Sequence, residues 1–285
     1  MKIGIVFEGG ASRTSFTNGV IDVLIRQNLP IHYILGVSAG IANGITLASR
    51  QIGRNLRISL QYMPDTRYMG KRYLLKRNNR SYYNIDFVFN QIPNGYEPFD
   101  YETFRRFEGE VLACVTNLHT GKAEYLPVTG EGGEWKELLA SCSLPLLFQP
   151  VPINGKLYMD GGIANPVPFE KALRDGCDKV IVVLTREREY RKSEHEFLND
   201  TSACYYRKYP AFARKLVMRG PLYNLQREQL FAREREGKVF ILAPEETSHF
   251  KRTESDPARV LALYRQGVRT AERSMADLKD FLSRP

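Results

Sequence analysis

The stretch Ile3-Gly4-Ile5-Val6-Phe7-Glu8-Gly9-Gly10 joins a short apolar run to a glycine turn. This pattern is typical of a buried strand that opens into a loop. Downstream, Phe16, Val20 and Val23 recur at the spacing of one helical face, and a second apolar run covers residues 31–37. The order strand, glycine loop, helix and strand predicts an α/β fold with parallel strands.

The rest of the chain continues this alternation, and its apolar patterns predict further strands and helices. The predicted strands cover residues 111–115, 123–128, 179–184 and 239–242, and the predicted helices cover residues 135–141, 168–174 and, as one terminal helix, 257–285. A chain of 285 residues with 43% hydrophobic residues suffices for one large domain. We expect one domain over 1–285, with an irregular basic and aromatic segment at 54–100 and a C-terminal helical region at 186–285 packed on it.

The formal net charge of +9 is concentrated in one segment. Residues 50–82 hold nine basic residues against one acid, interleaved with tyrosines. Such a segment is typical of a solvated loop, of a surface that docks on anionic lipid head groups, or of a surface that stacks single-stranded nucleic acid. No recognised nucleic-acid motif accompanies it, so we expect no nucleic acid as partner. Peripheral contact with an anionic membrane through residues 50–82 stays open.

Cysteine usage and hydropathy bear on cofactors and location. The four cysteines lie 27 to 35 residues apart, without a Cys-x-x-Cys pair, and therefore indicate neither a zinc site nor a redox motif. No apolar run reaches the length of about 20 residues that a spanning helix needs. The N-terminal residues turn acidic too soon for a signal peptide. We therefore expect a cytoplasmic protein, peripheral to the membrane if the basic segment docks there, and no metal.

The segment Gly36-Val37-Ser38-Ala39-Gly40 matches the pattern G-x-S-x-G. It falls between the predicted strand at 31–37 and a predicted helix that has Ile41, Ile45, Ala48 and Ile52 on one face, and a nucleophile elbow must lie at such a junction. Gly36 and Gly40 leave room for the sharp turn, and the helix N-terminus directs its N–H groups and positive dipole end towards the reaction centre. Ser38 is therefore a candidate nucleophile, and the alternative is a serine that only caps the helix.

The loop Gly9-Gly10-Ala11-Ser12-Arg13 follows the first strand. Its glycines would let backbone N–H groups approach a developing oxyanion. Phosphate binding is a weaker interpretation, because the lysine of a P-loop is absent and Ala11 and Thr14 break the pattern G-x-G-x-x-G. A tight turn without a chemical role is the remaining alternative.

A nucleophilic serine needs a base, and the sequence offers two kinds. His195 or His249 would complete a triad in the order Ser, Asp, His. The other candidate is Asp160, which is followed by Gly161 and Gly162 at a predicted strand end. An ordinary aspartate, with a pKa near 3.9, is a poor base at neutral pH. Asp160 would therefore need a short contact with Ser38 and partial desolvation.

Together, the segments 8–13, 36–40 and 160–162 resemble the patatin-like phospholipase family, and residues 140–148 resemble the approach to its Asp-Gly motif. Residues 165–185 and the C-terminal hundred residues are similar to its bacterial intracellular branch. The resemblance implies a single patatin-like hydrolase domain with a three-layer α/β/α sandwich around a mostly parallel sheet. It also implies hydrolysis of lipid esters through an acyl-enzyme, without a cofactor.

By position, the resemblance implies a dyad in which Ser38 is the nucleophile and Asp160 the base, with Gly161 and Gly162 completing the Asp-Gly-Gly motif. Its oxyanion residues fall at Gly9, Gly10, Ala11 and Arg13. The family usually has glycine at positions 11 and 14. Ala11 keeps its N–H but tolerates positive φ poorly, so this departure from the family bears on the geometry of the oxyanion loop and on the rate.

Two alternatives to the patatin-like hydrolase stay open at this point. One is a general carboxylesterase with a Ser-His-Asp triad and no preference for lipids. The other is a relative that binds lipid without catalysis, as Ala11 and Thr14 suggest.

Overall fold

The computed structural model describes residues 1–77, 79–193 and 197–284. Within these residues, eight strands form one sheet in the order β5-β6-β3-β2-β1-β7-β8, with β4 paired to β3 off this path. The strands are β1 Ile3–Phe7, β2 Tyr33–Val37, β3 Glu110–Asn117, β4 Ala123–Pro127, β5 Val151–Ile153, β6 Lys156–Asp160, β7 Lys179–Val183 and β8 Val239–Leu242. The five strands β3, β2, β1, β7 and β8 are parallel, whereas β4 and β6 run antiparallel to β3.

Helices connect and cover these strands. They are α1 Ser15–Arg26, α2 Ala39–Ala48, α3 Arg54–Gln61, α4 Tyr101–Arg105, α5 Lys136–Cys142, α6 Phe169–Arg174, α7 Phe197–Tyr205, α8 Pro210–Val217, α9 Arg219–Arg235, α10 Pro257–Arg273 and α11 Met275–Ser283. Short 3-10 helices follow β1 at Ala11–Thr14 and β6 at Gly161–Ile163, and a π-helix covers Phe87–Tyr96.

Both faces of the sheet are buried, as the near-continuous apolar strands predict. In β1, Ile5 and Phe7 pack with α1, α2, α10 and α11 on one face. Val6 points to the other face and packs with α6 and α9. The predicted α/β/α sandwich around a mostly parallel sheet is confirmed.

The C-terminal helices pack directly on the first helix. A Cβ atom on Gly19 of α1 would lie 2.2 Å from the carbonyl oxygen of Tyr264 in α10, so the two backbones approach closely there. At the same crossing, the Tyr264 hydroxyl donates a 2.7 Å hydrogen bond to the carboxylate of Asp22. The crossing therefore joins the two ends of the chain in one core.

Two sequence-based expectations for secondary structure differ from the structure, and one strand was not predicted. The terminal helix at 257–285 is wrong as one element, because the chain turns at Ser274 between α10 and α11. The turn lets Leu278 and Phe281 return to the core. The segment 54–100 is not irregular throughout, since it contains α3 and the π-helix. Strand β5 has only three residues, too few for a periodic signal.

Candidate active site

Ser38 lies in the sharp turn between β2 and α2. Its backbone has φ 55° and ψ −135°, a conformation that costs an L-residue about 1–3 kcal/mol and persists only where the surroundings impose it. Gly36 and Gly40 permit the turn. A Cβ atom on Gly36 would lie 2.8 Å from Ile41, and one on Gly40 would lie 2.5 Å from the carbonyl oxygen of Glu8. The strand–turn–helix geometry is that of a nucleophile elbow.

The strand register brings Asp160 next to Ser38. Val37, the last residue of β2, pairs with Cys114 of β3, and Asp160 of β6 pairs with the next residue, Val115. Strand β4 pairs with both of these β3 residues and therefore occupies the opposite edge. Strands β2 and β6 thus pair with the same edge of β3. Strand β2 ends opposite Cys114, and Asp160 of β6 lies opposite the next residue of β3. Ser38 begins its turn at that point.

Asp160 is almost fully buried, with 2% of its surface exposed. Its Oδ1 accepts a 2.8 Å hydrogen bond from the N–H of Gly162, and its carbonyl oxygen accepts one of 2.8 Å from the Thr116 hydroxyl. Its Oδ2 is buried and accepts no hydrogen bond from the residues that the structure describes. One carboxylate oxygen is therefore fixed, and the other is left to accept a proton.

Burial raises the pKa of Asp160 above its ordinary value of 3.8. The charge of Arg219 and the nearby hydroxyl of Ser38 oppose this shift, because both favour the ionised carboxylate. The desolvation that a basic aspartate requires is therefore present. A carboxylate of raised pKa next to a serine hydroxyl is suited to accept its proton.

The loop after β1 lies directly against the elbow. A Cβ atom on Gly9 would lie 2.9 Å from the Cβ of Ser38. Within the described part of the chain, the N–H groups of Gly9, Gly10 and Ala11 have no hydrogen-bond acceptor. Ala11 adopts a positive φ of 48° although it is not glycine. Three free N–H donors beside a serine are the components of an oxyanion hole.

The backbone of the elbow is fixed by a serine that the sequence analysis missed. The N–H of Ser38 donates a 2.8 Å hydrogen bond to the hydroxyl of Ser141, which donates one of 2.7 Å to the carbonyl oxygen of Cys114. Ser141 is fully buried on α5. It therefore links the elbow to the strand that also pairs with Asp160.

Ser38 lies where two cavities meet, and both are also lined by Ala11 and Leu144. The larger cavity, of about 160 Å³, runs between α2, α3, the π-helix and α5. Its walls are mostly apolar and include Trp135, Ile58 and other residues of segment 54–100. We call it the apolar cavity. The smaller cavity, of about 80 Å³, is the cationic pocket, and it is lined by Arg13, Arg186, Lys192, Arg219 and Arg252.

Among the cations of this pocket, the sequence analysis singled out Arg13 and missed the other four. Arg186 follows β7, Arg219 begins α9, and Arg252 precedes α10. They come from three separate segments of the sequence, and no periodic pattern marks them.

The alternative triad requires a histidine close to Ser38. Of the two candidate histidines, His249 lines neither cavity, and the same holds for the other described histidines, His32 and His119. The side chain of His249 is 92% exposed. His195 lies outside the described residues. In the described part of the chain, no group of three or more histidine, cysteine, aspartate or glutamate side chains is arranged to hold a metal ion.

Two family models match this chain. The model of the patatin-like phospholipase family matches residues 5–173, which include the loop, the elbow and Asp160. The chain belongs to the patatin-like phospholipase family. A second family model, for a domain of unknown function called DUF6363, matches residues 209–283. This second match contains Arg219 and Arg252 of the cationic pocket.

The chain is also similar to individual proteins from several organisms. The chain is 25% identical over 190 residues to the uncharacterised protein YjjU of Escherichia coli K12, 23% identical over 188 residues to lysophospholipase NTE1 of Scheffersomyces stipitis, and 26% identical over 195 residues to patatin-like phospholipase domain-containing protein 7 of Rattus norvegicus. These matches cover 65%, 64% and 66% of this chain, but 52%, 11% and 14% of the relatives. The chain therefore spans about half of the first relative and a small part of the others.

Among solved structures, the chain is similar to VipD from Legionella pneumophila. It aligns with a TM-score of 0.46 and 12% sequence identity over 95% of this chain and 67% of that chain. Separately, no helix in the described residues combines the length and the apolar character that a membrane crossing needs.

Proposed function

We propose that this patatin-like chain is a serine acyl hydrolase that cleaves carboxylic ester bonds of lipids, in the manner of a phospholipase A or a lysophospholipase. Ser38 is the nucleophile and Asp160 the base. The observation that carries the proposal is that β2 and β6 pair with the same edge of β3. Asp160 of β6 therefore lies beside the point where β2 ends and Ser38 follows. The family match and the lysophospholipases among the similar proteins support a lipid ester as substrate.

In the first half-reaction, Asp160 Oδ2 accepts the proton of Ser38 while the serine oxygen attacks the ester carbonyl. The N–H groups of Gly9, Gly10 and Ala11 donate hydrogen bonds to the oxyanion. When the tetrahedral intermediate collapses, the proton moves from Asp160 to the leaving alcohol oxygen. The acyl group remains on Ser38 as an ester.

In the second half-reaction, a water molecule attacks this acyl-enzyme and gives a proton to Asp160. The proton then passes to the oxygen of Ser38 as the fatty acid leaves. The chemistry requires no metal or organic cofactor, because the serine oxygen is the nucleophile and backbone N–H groups supply the electrophilic assistance. The apolar cavity next to Ser38 receives the acyl chain.

Peripheral docking on an anionic membrane belongs to the same proposal. Within segment 50–82, Arg54 is buried, Arg57 pairs with Glu97, and Arg67 pairs with Asp65, so these three cations are used internally. The docking surface is therefore narrower than the basic segment. It consists of Leu75, which is 90% exposed, and the neighbouring cations Lys71, Arg72, Lys76 and Arg77. An exposed leucine among cations suits a surface of anionic head groups.

The test of the proposed chemistry is active-site labelling combined with turnover. We expect a fluorophosphonate probe to label the wild-type chain and to leave Ser38→Ala unlabelled. We expect hydrolysis of p-nitrophenyl butyrate and of a lysophospholipid to fall at least a thousandfold in Ser38→Ala and in Asp160→Asn. The matched controls are Ser248→Ala and Asp277→Asn, at exposed positions far along the chain. An unlabelled wild-type chain would identify a non-catalytic relative.

The triad alternative has its own test. His195→Ala and His249→Ala should each keep at least half of the wild-type turnover. A loss of a hundredfold or more in either variant would replace the dyad by a triad.

A further inference from the structure

Arg54 is a buried cation in the wall of the apolar cavity. It begins α3 and lines the cavity together with apolar side chains such as Ile45 and Trp135. Only 4% of its surface is exposed. The proposed reaction gives this guanidinium no role, because the chemistry takes place at Ser38 and an alkyl chain needs no cation beside it. A charged side chain in the wall of an acyl pocket therefore requires its own explanation.

The hydrogen bonds of Arg54 go to neutral acceptors. Its Nη2 donates a 2.8 Å hydrogen bond to the carbonyl oxygen of Glu97, and its Nε donates a longer one of 3.4 Å to that of Pro98. The guanidinium also lies over the ring of Phe99, 5.2 Å from its centroid. Among the described residues, Nη1 donates no hydrogen bond and the guanidinium forms no ion pair. These contacts fix the side chain and leave its charge without a counter-ion.

Glu97 carries the carboxylate that most affects Arg54, but this carboxylate is engaged elsewhere. Its Oε1 lies 2.7 Å from Nη2 of Arg57. Burial lowers the pKa of Arg54 to about 10, and the charge of Glu97 opposes this shift without cancelling it. Arg54 therefore stays a cation at neutral pH. Its place in the first turn of α3 adds to the cost, because the positive end of the helix dipole repels a cation.

The other polar side chains that α3 contributes to this wall are already used. The amide of Asn55 donates a 2.7 Å hydrogen bond to the hydroxyl of Thr46, and the hydroxyl of Ser59 donates one of 2.8 Å to the carbonyl oxygen of Asn55. By contrast, Nη1 of Arg54 has no acceptor in the described part of the chain. Buried charges in proteins are normally paired. The wall thus holds a positive charge that an anion in the cavity would compensate.

Two helices give the length of the cavity from Ser38. Helix α2 follows Ser38 directly and reaches Ile45 seven residues later, which corresponds to about 10 Å. On α5, Ser141 binds the N–H of Ser38, and Trp135 lies six residues before it, which corresponds to about 9 Å. Ile45 and Trp135 both line the cavity and belong to one core cluster. They therefore mark the end of the cavity that lies away from the nucleophile.

Arg54 belongs to this far end. Phe99, which lies against the guanidinium, contacts the Trp135 ring edge-to-face with centroids 5.1 Å apart. A fully extended chain advances about 1.2 Å per bond, so about eight bonds span the distance from the ester carbonyl at Ser38 to this end. An acyl group of about nine carbons therefore brings its last carbon to Arg54.

We propose that Arg54 binds a carboxylate at the far end of the acyl group, so that the protein hydrolyses monoesters of medium-length dicarboxylic acids. The inference rests on the proposed function and names the acyl part of its substrate. The carboxylate accepts a charge-assisted hydrogen bond from Nη1 and compensates the buried cation, which a methyl end does not do. The apolar walls between Ser38 and Arg54 take up the methylene groups.

The first test compares three p-nitrophenyl esters of nine-carbon acids. The acyl group ends in a methyl group in the nonanoate, in a hydroxyl group in the 9-hydroxynonanoate and in a carboxylate in the nonanedioate monoester. For the wild-type protein, we expect kcat/KM to be at least tenfold higher for the nonanedioate monoester than for the other two esters. The hydroxyl ester separates charge compensation from hydrogen bonding alone. Equal values for the three esters would overturn the proposal.

A shorter pair of esters controls for general attraction of anions to a protein of net charge +9. The p-nitrophenyl monoester of butanedioic acid is too short to reach Arg54 from Ser38. Its kcat/KM should therefore lie within threefold of the value for p-nitrophenyl butyrate. A tenfold preference for the carboxylate at four carbons as well would place it at another cation and refute the inference.

Variants of Arg54 test the residue through the ratio of kcat/KM for the nonanedioate monoester to that for the nonanoate. Arg54→Met should lower this ratio at least tenfold, whereas Arg54→Lys, which keeps the cation, should lower it less than threefold. Arg105→Met, at an exposed position of α4, is the matched control and should leave the ratio unchanged. Equal losses on both esters in Arg54→Met would assign Arg54 a structural role and contradict the proposal. If Arg54→Met does not fold, the wild-type ratios decide.

A binding experiment separates this inference from the proposed function. Calorimetry should show that the Ser38→Ala protein binds the methyl monoester of nonanedioic acid at least tenfold more tightly than methyl nonanoate, and Arg54→Met should remove the difference. This result supports the carboxylate site even if no ester is cleaved, in which case the proposed function alone fails. Cleavage of the nonanoate without a preference for the nonanedioate monoester would leave the proposed function standing and overturn this inference alone.

Discussion

The hydroxyl of Thr14 donates a 2.7 Å hydrogen bond to the carbonyl oxygen of Ala11. The same hydroxyl accepts a 2.8 Å hydrogen bond from the side chain of Asn43 on α2. Ala11 has a φ of 48°, which costs an L-residue about 1–2 kcal/mol. The patatin-like family usually has glycine at positions 11 and 14. In this chain the hydroxyl of Thr14 holds the backbone of Ala11, so the residue that replaces one glycine fixes the residue that replaces the other.

This relationship predicts coupling between the two positions. Thr14→Val removes the hydrogen bond and should lower kcat for p-nitrophenyl butyrate about tenfold, because Ala11 then leaves its positive φ. In the Ala11→Gly background, where positive φ is inexpensive, the same change should lower kcat less than threefold. A double-mutant cycle measures the difference as a coupling free energy of about 1 kcal/mol. Additive effects would show that Thr14 does not hold Ala11.

The pH dependence of turnover should follow Asp160. Burial raises the pKa of Asp160, and only the ionised carboxylate accepts the proton of Ser38. We expect kcat/KM for p-nitrophenyl butyrate to rise with pH through a single ionisation whose midpoint lies above 3.8. The double variant His195→Ala and His249→Ala should keep this midpoint. A midpoint that moves with the histidines would contradict the assignment of the base.

The same shift predicts an effect on stability. Because the folded chain binds the Asp160 proton more tightly than the unfolded chain, the free energy of unfolding falls as the pH rises from 3.8 through the raised pKa. Asp160→Asn removes the buried charge and keeps an acceptor for the N–H of Gly162. We expect it to unfold at a higher temperature than the wild type at pH 8, by about 2–4 °C for each kcal/mol.

The stability difference should shrink as the pH falls through the raised pKa of Asp160, because the wild-type carboxyl group then becomes neutral as well. Asp277→Asn, at an exposed position, is the control and should show no such pH dependence. Thermal unfolding followed by circular dichroism between pH 4 and 8 measures both variants. An Asp160→Asn chain less stable than wild type at pH 8 would refute the prediction.

The apolar cavity should set acyl-chain preference. Ala42 lies one helical turn after Ser38 and lines this cavity. Ala42→Phe adds bulk there and should lower kcat/KM for a dodecanoyl ester at least tenfold, while the acetyl ester changes less than threefold. Ala258→Phe, at an exposed position of α10, is the control. Equal losses on both esters would mean that the acyl chain lies elsewhere.

The docking surface around Leu75 predicts salt-dependent membrane binding. Leu75→Asp and the pair Lys76→Glu and Arg77→Glu should each reduce flotation with vesicles that contain phosphatidylglycerol at least fivefold. Turnover of p-nitrophenyl butyrate should stay unchanged, because none of these three side chains lines either cavity. Arg235→Gln, at an exposed position of α9, is the control. Flotation that is insensitive to salt and to these changes would exclude electrostatic docking.

Short-range patterns in the sequence predicted much of the fold. The runs at Ile3–Phe7 and Lys179–Val183 and the helical spacing from Phe16 were readable because strand and helix periods are local properties. The turn at Ser274 could not be predicted, because a straight helix over 257–285 is equally good locally. The core, which takes up Leu278 and Phe281, decides in favour of two helices.

The sequence by itself determined the turn chemistry at Ser38 and the glycines around it, because a strained elbow permits few residue types. It could only suggest Asp160, since the placement of that carboxylate depends on β6 sharing an edge of β3 with β2. The tertiary structure alone decided that Arg186, Arg219 and Arg252 surround the same serine. These arginines come from separate segments without periodic pattern, and only the packing of the C-terminal helices on the sheet brings them together.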